Sequence, residues 1–132
     1  MKRIDIKTND RSEMLDITSL AQKAVSEKKV DKGVCAVFTP HTTAAVTINE
    51  NADPDVPFDI LAALERMVPY QAHYRHAEGN SAAHIKAALI GSSQLIPVEN
   101  GRLVLGAWQS IFFCEFDGPR SRKIFISAIA EE

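Results

Sequence analysis

The 132-residue sequence lacks the features that mark membrane and secreted proteins. No apolar run approaches the ~20 residues that a membrane-spanning helix needs. The first residues, MKRIDIKTNDRSE, contain no apolar stretch of the signal-peptide type. There are only two cysteines, Cys35 and Cys114, and each lies inside an apolar run, which predicts buried free thiols. We therefore expect a cytoplasmic protein with no membrane partner.

Excess charge and the common catalytic motifs are also missing. The formal net charge is -2 at pH 7, which gives no electrostatic support for nucleic-acid binding. The sequence contains no glycine-rich phosphate loop, CxxC, HExxH or GxSxG motif, so serine or cysteine nucleophile chemistry has no positive support. Hydrophobic residues make up 45% and charged residues 24%, as in ordinary globular proteins, and the length predicts a single domain over residues 1–132.

Short apolar segments predict a fold rich in β-strands. Residues 2–8 alternate between apolar and polar, and residues 33–40 form a continuous apolar run typical of a strand covered on both faces. Asn100-Gly101 between two apolar runs is a strong hairpin signal. Further strands are predicted over 109–116 and 122–130. The hairpins and short connections favour an α+β, β-rich fold of mostly antiparallel, sandwich-like sheets over a parallel βαβ fold.

Two or three helices accompany these strands. Asp16 is a candidate cap for a helix that ends near Lys28 or Lys29. Asp53-Pro54 predicts the start of a second helix, with an apolar stripe from Val56 to Met67. A short third helix is predicted over residues 81–90, ending at Gly91.

The segment TPHTTAAVTINE, residues 39–50, alternates like a strand. If that strand is regular from position 41, alternate side chains share a face, so Ala44, Val46 and Ile48 meet the core. The opposite face then carries His41 and Asn49, together with threonines that β-propensity alone would explain. We favour a functional role for His41 and Asn49.

Two further histidines flank the sequence AEGNSAA. His84 falls in the first turn of the third helix, with Asn80 or Ser81 as its cap. A helix N-terminus disfavours the imidazolium ion, and a metal ion requires a neutral imidazole. A core histidine bonded to a backbone carbonyl is the structural alternative. The spacing between His76 and His84 matches no standard short zinc signature.

Glu115 lies within the apolar run IFFCEF, where a carboxylate is costly to bury without a partner. It either pairs with Arg120 or Arg122 across the following turn, or acts as a general acid or base. The two arginines also suit an oxyanion such as phosphate. Trp108 is either a cover for an aromatic ligand or a packed residue at a strand entrance.

Three segments, HTTAAVTINENADPDV, YRHAEGNSAAHIKAALIG and GRLVLGAWQSIFFCEFDGPRSRKI, resemble the YjbQ family in order and spacing. Proteins of that family are often labelled secondary thiamine-phosphate synthase enzymes. The resemblance implies a β-rich, sandwich-like α/β fold that assembles as a homotrimer, with a pocket near the subunit boundaries. It also implies weak synthase activity that joins aminopyrimidine methyl pyrophosphate to thiazole phosphate.

The resemblance further implies which residues form the site. It places a divalent metal, zinc or magnesium, or an anion at the three histidines His41, His76 and His84. Catalytic roles are then expected for Glu115, Arg120 and Asn49. Ligand binding is expected for Gln109 and Asn80 on the same ground, and for Trp108 and Arg122 because an indole can cover a heterocycle and a guanidinium suits phosphate.

Three readings remain open from the sequence. The first is a metal-dependent transferase acting on a phosphorylated small molecule, which we favour. The second is a module that binds a metal or a phosphorylated ligand without turnover. The third is a structural trimer whose histidines satisfy one another.

Overall fold

A computed structural model describes all residues from Met1 to Glu132 and contains eight strands and three helices. The strands are β1 (Lys2–Lys7), β2 (Glu13–Asp16), β3 (Gly33–Phe38), β4 (Ala44–Glu50), β5 (Ser93–Glu99), β6 (Arg102–Leu103), β7 (Gln109–Glu115) and β8 (Ser121–Ala130). The helices are α1 (Thr18–Lys28), α2 (Asp55–Met67) and α3 (Ser81–Ile90). No helix is both long enough and apolar enough to cross a bilayer.

The strands form two antiparallel sheets. One has the order β1-β8-β3-β5-β6 and the other the order β2-β7-β4. This confirms the α+β class and the antiparallel pairing predicted from the sequence. The Asn100-Gly101 turn joins β5 to β6. Both residues have positive φ, 53° and 74°, as a two-residue hairpin turn needs to match the right-handed twist of its strands.

The main core lies between the two sheets, and α1 closes one side of it. Val37 of β3 and Ile124 of β8 face Val46 of β4 and Phe113 of β7, all of them fully buried. A second, smaller core lies on the outer face of the three-stranded sheet, where α2 and α3 cover Ala45, Phe112 and Cys114. Strands β4 and β7 are therefore buried on both faces.

The strand predicted from position 41 begins at Ala44 instead. Ala44 and Val46 face the main core as expected, but Ala45 on the other face is buried beneath the helices rather than wet. His41 therefore lies in the connection between β3 and β4, outside the regular alternation. The position of a strand's first residue depends on its partner, and here the pairing with β7 ends at Ala44 opposite Glu115.

Two other sequence expectations need correction. The short strand β2 was missed because its four residues show no clear alternation, and pairing with β7 holds it in place. Met67, the last residue of the predicted apolar stripe on α2, is 67% exposed.

The prediction for the cysteines is confirmed, since both are buried and free. Burial raises the pKa of the Cys35 thiol to about 11 and that of the Cys114 thiol to about 12.

The outer face of the five-stranded sheet has no covering layer. Phe38, Leu95 and Ile129 project from it with 42%, 64% and 55% of their surface exposed. Phe125 lies opposite Phe38 and in ring contact with it, at 6.2 Å between centroids. We call these four residues the uncovered sheet face.

Candidate functional site

A polar cleft of about 410 Å³ opens where three connections meet. Apart from Pro40, every side chain that lines it is polar. It brings together six of the predicted site residues: His41, His76, Asn80, His84, Arg120 and Arg122. Sequence reasoning missed the other four polar lining residues: Thr42, Thr43, Glu78 and Asp117.

Different parts of the chain supply these groups. The β3–β4 connection supplies His41, and the loop before α3 supplies His76. His84 is the fourth residue of α3, so it lies within one turn of the helix start. The β7–β8 connection supplies Arg120. The cleft is therefore built from loop ends and a helix N-terminus at one end of the sandwich.

His76 and His84 contact each other. Their ring centroids are 5.4 Å apart and the ring planes are nearly perpendicular, at 89°. The Nε2 atom of His76 also lies 3.9 Å from a carboxylate oxygen of Glu78, and because both side chains are exposed this contact contributes little. Two of the three predicted imidazoles thus form a close pair in the cleft.

His41 is held differently. Its Nε2 atom accepts a hydrogen bond of 2.8 Å from the backbone N–H of Lys123. Burial lowers the pKa of His41 below its ordinary value, and the positive charge of Arg122 lowers it further. Glu115 acts in the opposite direction and raises it. Both the hydrogen bond and the pKa favour a neutral imidazole.

The three histidines line one cleft without forming a ready metal site. No group of three or more His, Cys, Asp or Glu side chains is arranged to hold a metal ion. A ligand imidazole must offer a free ring lone pair, and the Nε2 lone pair of His41 already accepts the Lys123 amide. The residues therefore do not fit the three-histidine metal centre that the resemblance implies, and metal binding stays a prediction.

Glu115 does not line the cleft but lies fully buried behind it. Its carboxylate accepts hydrogen bonds from two nitrogens of Arg122, from the backbone N–H of Asp117 and from the hydroxyl of Thr8. The Arg122 side chain is itself only 3% exposed and donates a further bond of 2.8 Å to Thr43 Oγ1. These contacts support the ion-pair interpretation of Glu115, with Arg122 as its partner. A carboxylate with its acceptor sites filled and no access to solvent is poorly placed to move protons.

Asp117 links Asn80 to Arg120 at the edge of the cleft. One of its carboxylate oxygens accepts bonds from Asn80 Nδ2, at 2.9 Å, and from Arg120 Nη2, at 3.1 Å. Arg120 Nε also donates to the backbone carbonyl of Asp117, at 2.8 Å. The sequence DGPRS indicated only a turn, because a turn-forming aspartate looks the same whether or not its side chain organises a site.

Asn80 occupies the cap position of α3, yet its side chain makes no capping bond. It turns toward Asp117 instead, and its Oδ1 atom is buried without any hydrogen-bond partner. A buried carbonyl oxygen left unpaired is costly, so a donor from a water molecule or a ligand is needed there.

Formal charges in the cleft are balanced when the imidazoles are neutral. Arg120 and Arg122 are offset by Asp117 and Glu78 among the lining residues. Glu115 behind the cleft adds a further negative charge. An anionic ligand would therefore bind through directed hydrogen-bond donors rather than rely on a basic surface.

Two further cavities flank the cleft along α3. One, of about 540 Å³, contains Tyr74, Arg75 and Ile85 beside His76 and His84. The other, of about 440 Å³, lies beside His41 and His84 and is floored by small residues, among them Ala44, Ala87 and Gly91. His84 borders all three cavities. The cleft and its two flanking cavities together have room for a ligand larger than a single phosphate group.

Three predicted site residues lie elsewhere. In the β4–β7 ladder Asn49 lies opposite Ser110, five positions from the Ala44–Glu115 pair, which is roughly 17 Å along a strand. Asn49 bonds to the next backbone N–H, and Gln109 accepts the N–H of Gly106. Trp108 is 66% exposed. The expectation that Asn49, Trp108 and Gln109 line the same cleft is not met within this chain.

Residues 2–131 match the profile of the family described as UPF0047 protein YjbQ-like. The UPF0047 protein YugU of Bacillus subtilis is 50% identical over 127 residues, covering 96% of each chain. A UPF0047 protein of Methanocaldococcus jannaschii is 48% identical over 130 residues, covering 98% of this chain and 94% of its own.

Solved structures show the same fold. An uncharacterized conserved YjbQ/UPF0047 family protein from Clostridium acetobutylicum is 55% identical and superposes with a TM-score of 0.97, covering 98% of this chain and all of its own length. A protein of unknown function from Sulfolobus solfataricus is 32% identical, with a TM-score of 0.94 and coverage of 98% and 96%.

Proposed function

Because the chain belongs to the UPF0047 family of YjbQ-like proteins, we propose that its cleft binds a phosphorylated small molecule and that the protein is an enzyme acting on it. The observation that carries this proposal is the composition of the cleft. Three imidazoles and two guanidinium groups line it, and a buried Asn80 Oδ1 inside it has no partner. Such a set supplies both donors and an acceptor to a polar ligand.

Arg120 is the residue best placed to contact a phosphate. Its side chain is half exposed, and its bonds to Asp117 use Nε and Nη2, which leaves Nη1 for a ligand oxygen. Arg122 is committed to Glu115 and Thr43, so it contributes fixed structure more than a free donor. The N-terminal turn of α3, which begins beside Asn80, adds the positive end of a helix dipole.

The paired imidazoles of His76 and His84 supply acid–base groups. An imidazole can accept a proton on one ring nitrogen and donate one from the other, so each ring can act as a general base or a general acid. The two rings are in edge-to-face contact and both line the cleft, where a ligand would lie. We assign proton transfer to this pair rather than to the buried Glu115.

The resemblance names a specific reaction to test, the thiamine-phosphate synthase reaction. The ring nitrogen of thiazole phosphate attacks the methylene carbon of the aminopyrimidine substrate, and the carbon–oxygen bond to pyrophosphate breaks. Arg120 would offset the charge that grows on the departing pyrophosphate. The flanking cavities along α3 would receive the two heterocyclic parts.

The test is turnover of aminopyrimidine methyl pyrophosphate and thiazole phosphate by wild-type protein, Arg120→Ala and His84→Ala. Removing one donor or acid–base group is expected to lower kcat about 100-fold. Gln109→Ala, at the other end of the β4–β7 ladder, is the matched control and should keep wild-type activity. The same trace turnover in all four proteins would indicate a contaminating enzyme and overturn the assignment.

A divalent metal, zinc or magnesium, is the cofactor that the resemblance predicts. The proposal above does not require it, because the phosphate contacts come from the chain itself. Metal analysis of protein purified without chelator tests this prediction separately. One equivalent of metal per chain, lost in His84→Ala, would support a metal-dependent enzyme.

A binding protein without turnover is the alternative, and the balanced charges and the filled acceptor sites of Glu115 favour it. Calorimetry with inorganic pyrophosphate separates the two. Binding that Arg120→Ala weakens, without any turnover of the substrate pair, would favour the binding protein.

We further propose that the chain assembles as a homotrimer through the uncovered sheet face. Phe38, Leu95 and Ile129 form an apolar patch on a sheet with no covering layer, and monomeric proteins seldom leave such patches bare. Analytical ultracentrifugation should give the mass of a trimer for the wild type and a smaller mass for Leu95→Asp. A monomeric wild-type protein would contradict this proposal.

A further inference from the structure

We propose that His41 is held as the Nδ1–H tautomer by the backbone N–H of Lys123 and donates a hydrogen bond to an oxygen atom of the ligand in the cleft. The first half of this proposal rests on the geometry of the chain alone. The second half rests on the proposed function, since it names the contact that the phosphorylated ligand makes.

The tautomer follows from the hydrogen bond. A backbone N–H can only donate, so the Nε2 atom that faces it at 2.8 Å must carry a lone pair. In a neutral imidazole the proton then resides on Nδ1. No protein group bonds to that second nitrogen, and the ring lines the cleft. Nδ1 is therefore a donor available to a ligand.

The edge of the five-stranded sheet explains why the Lys123 amide is available. Strand β8 pairs with β3, and that ladder ends where Phe38 lies opposite Phe125. Lys123 lies two residues beyond this last pair, while on its other side it pairs with Asp5 of β1. His41 follows the end of β3 by three residues, so its imidazole takes the place that a carbonyl of a longer strand would have.

The same geometry restricts what His41 can bind. Neither ring nitrogen has a free lone pair, because Nε2 accepts the amide and Nδ1 carries the proton. Binding a metal ion through Nε2 would remove the acceptor that the Lys123 amide now uses. An oxygen acceptor, by contrast, requires no rearrangement. The geometry thus favours a phosphate or carbonyl oxygen at His41 over a metal ion.

The decisive measurement is a long-range ¹H–¹⁵N correlation spectrum of the histidine rings in the wild-type protein at neutral pH. We expect Nε2 of His41 to resonate as an unprotonated ring nitrogen and Nδ1 as a protonated one. A protonated Nε2 would overturn the tautomer. This experiment uses no ligand, so it stands even if the proposed function fails.

Two variants test the contact with the ligand. An asparagine amide reaches the position of Nδ1, so His41→Asn keeps an N–H donor there. A glutamine amide reaches the position of Nε2, so His41→Gln has no group at the position of Nδ1. With inorganic pyrophosphate as probe, we expect the Kd of His41→Asn to stay near the wild-type value. The Kd of His41→Gln should rise by about 10-fold or more, as for loss of a hydrogen bond to a charged group.

Equal losses in both variants would overturn the contact while leaving the tautomer standing. If the wild type binds no pyrophosphate, the contact falls together with the proposed function, and the ring spectrum still decides the tautomer. Melting temperatures confirm that each variant is folded. A zinc titration that breaks the hydrogen bond from the Lys123 amide to Nε2 would also overturn the proposal, because it would show that this nitrogen binds metal.

Discussion

The two ends of the β4–β7 ladder carry different kinds of polar residue. At the end where Ala44 lies opposite Glu115, polar side chains from three connections converge on one cleft. At the end where Glu50 lies opposite Gln109, Asn49 and Gln109 bond only to nearby backbone. Alternation along a strand indicates which residues share a face, but it does not indicate which of them share a site.

The two ends differ because of what surrounds them. Behind the cleft, Glu115 and Arg122 form an ion pair that is almost completely buried and fully hydrogen-bonded. Trp108, at the far end, is largely exposed. Substitutions matched between the two ends therefore test whether the cleft end alone carries the stability network and the ligand site.

The largest effect is expected from Glu115→Gln. Removing one charge of a buried pair leaves Arg122 uncompensated, which costs about 3 kcal/mol. Glu50→Gln at the other end is the control and should change the free energy of unfolding by less than about 0.5 kcal/mol. Chemical denaturation measures both. Similar midpoints for the two variants would show that the buried pair is not a stabilising element.

Gly118→Ala comes next. A Cβ atom at this position would lie 2.4 Å from the carbonyl oxygen of Asp10 and 2.8 Å from Thr8 Oγ1, so the backbone must move. We expect a loss of roughly 1–3 kcal/mol. At Gly106 an added Cβ meets only the end of the Gln109 side chain, which can shift aside. Thermal unfolding should therefore show a clear loss for Gly118→Ala and almost none for Gly106→Ala.

Variants at the two ends of the β4–β7 ladder should differ in ligand affinity. Arg120→Ala removes a donor that we assign to the phosphate, and we expect the Kd for inorganic pyrophosphate to rise by about 10-fold. Trp108→Ala should bind like the wild type, because that ring lies far from the cleft. Isothermal titration calorimetry measures both. Weaker binding by Trp108→Ala would indicate that the ligand lies at the end of the ladder opposite the cleft, which would contradict the proposed site.

The smallest effect concerns pH. The pKa of His41 is lowered in the folded protein, so the unfolded chain binds its proton first as the pH falls. Folding stability is then unaffected above about pH 6.5 and declines below it, until the pH reaches the folded pKa of His41. The decline should be shallower in His41→Asn. Denaturation curves at several pH values give this difference, and identical slopes would contradict it.

The sequence predicted the parts of the fold that depend on neighbouring residues. The hairpin at Asn100-Gly101 and the core positions Ala44 and Val46 were correct, because turn chemistry and alternation are local. The short strand β2 was missed and the start of β4 was placed three residues too early, because the pairing with β7 determines both.

The site was predicted in part for a similar reason. The residue pattern indicated His41, His76 and His84 as candidates and the resemblance grouped them in one site, and all three line the cleft. Asp117 was overlooked because nothing in its immediate sequence separates a turn former from a residue that joins Asn80 to Arg120. The whole fold determines which loops come together, so short sequence motifs do not predict it.

The central claim is that the cleft end, and only that end, takes the phosphorylated ligand. A titration of wild-type protein with inorganic pyrophosphate, followed by ¹H–¹⁵N NMR of the histidine rings and side-chain amides, tests it most directly. We predict saturable shifts for His41, His84 and Asn80, and no shift for the Trp108 indole or the Asn49 amide. Shifts confined to Trp108 and Asn49 would contradict the account.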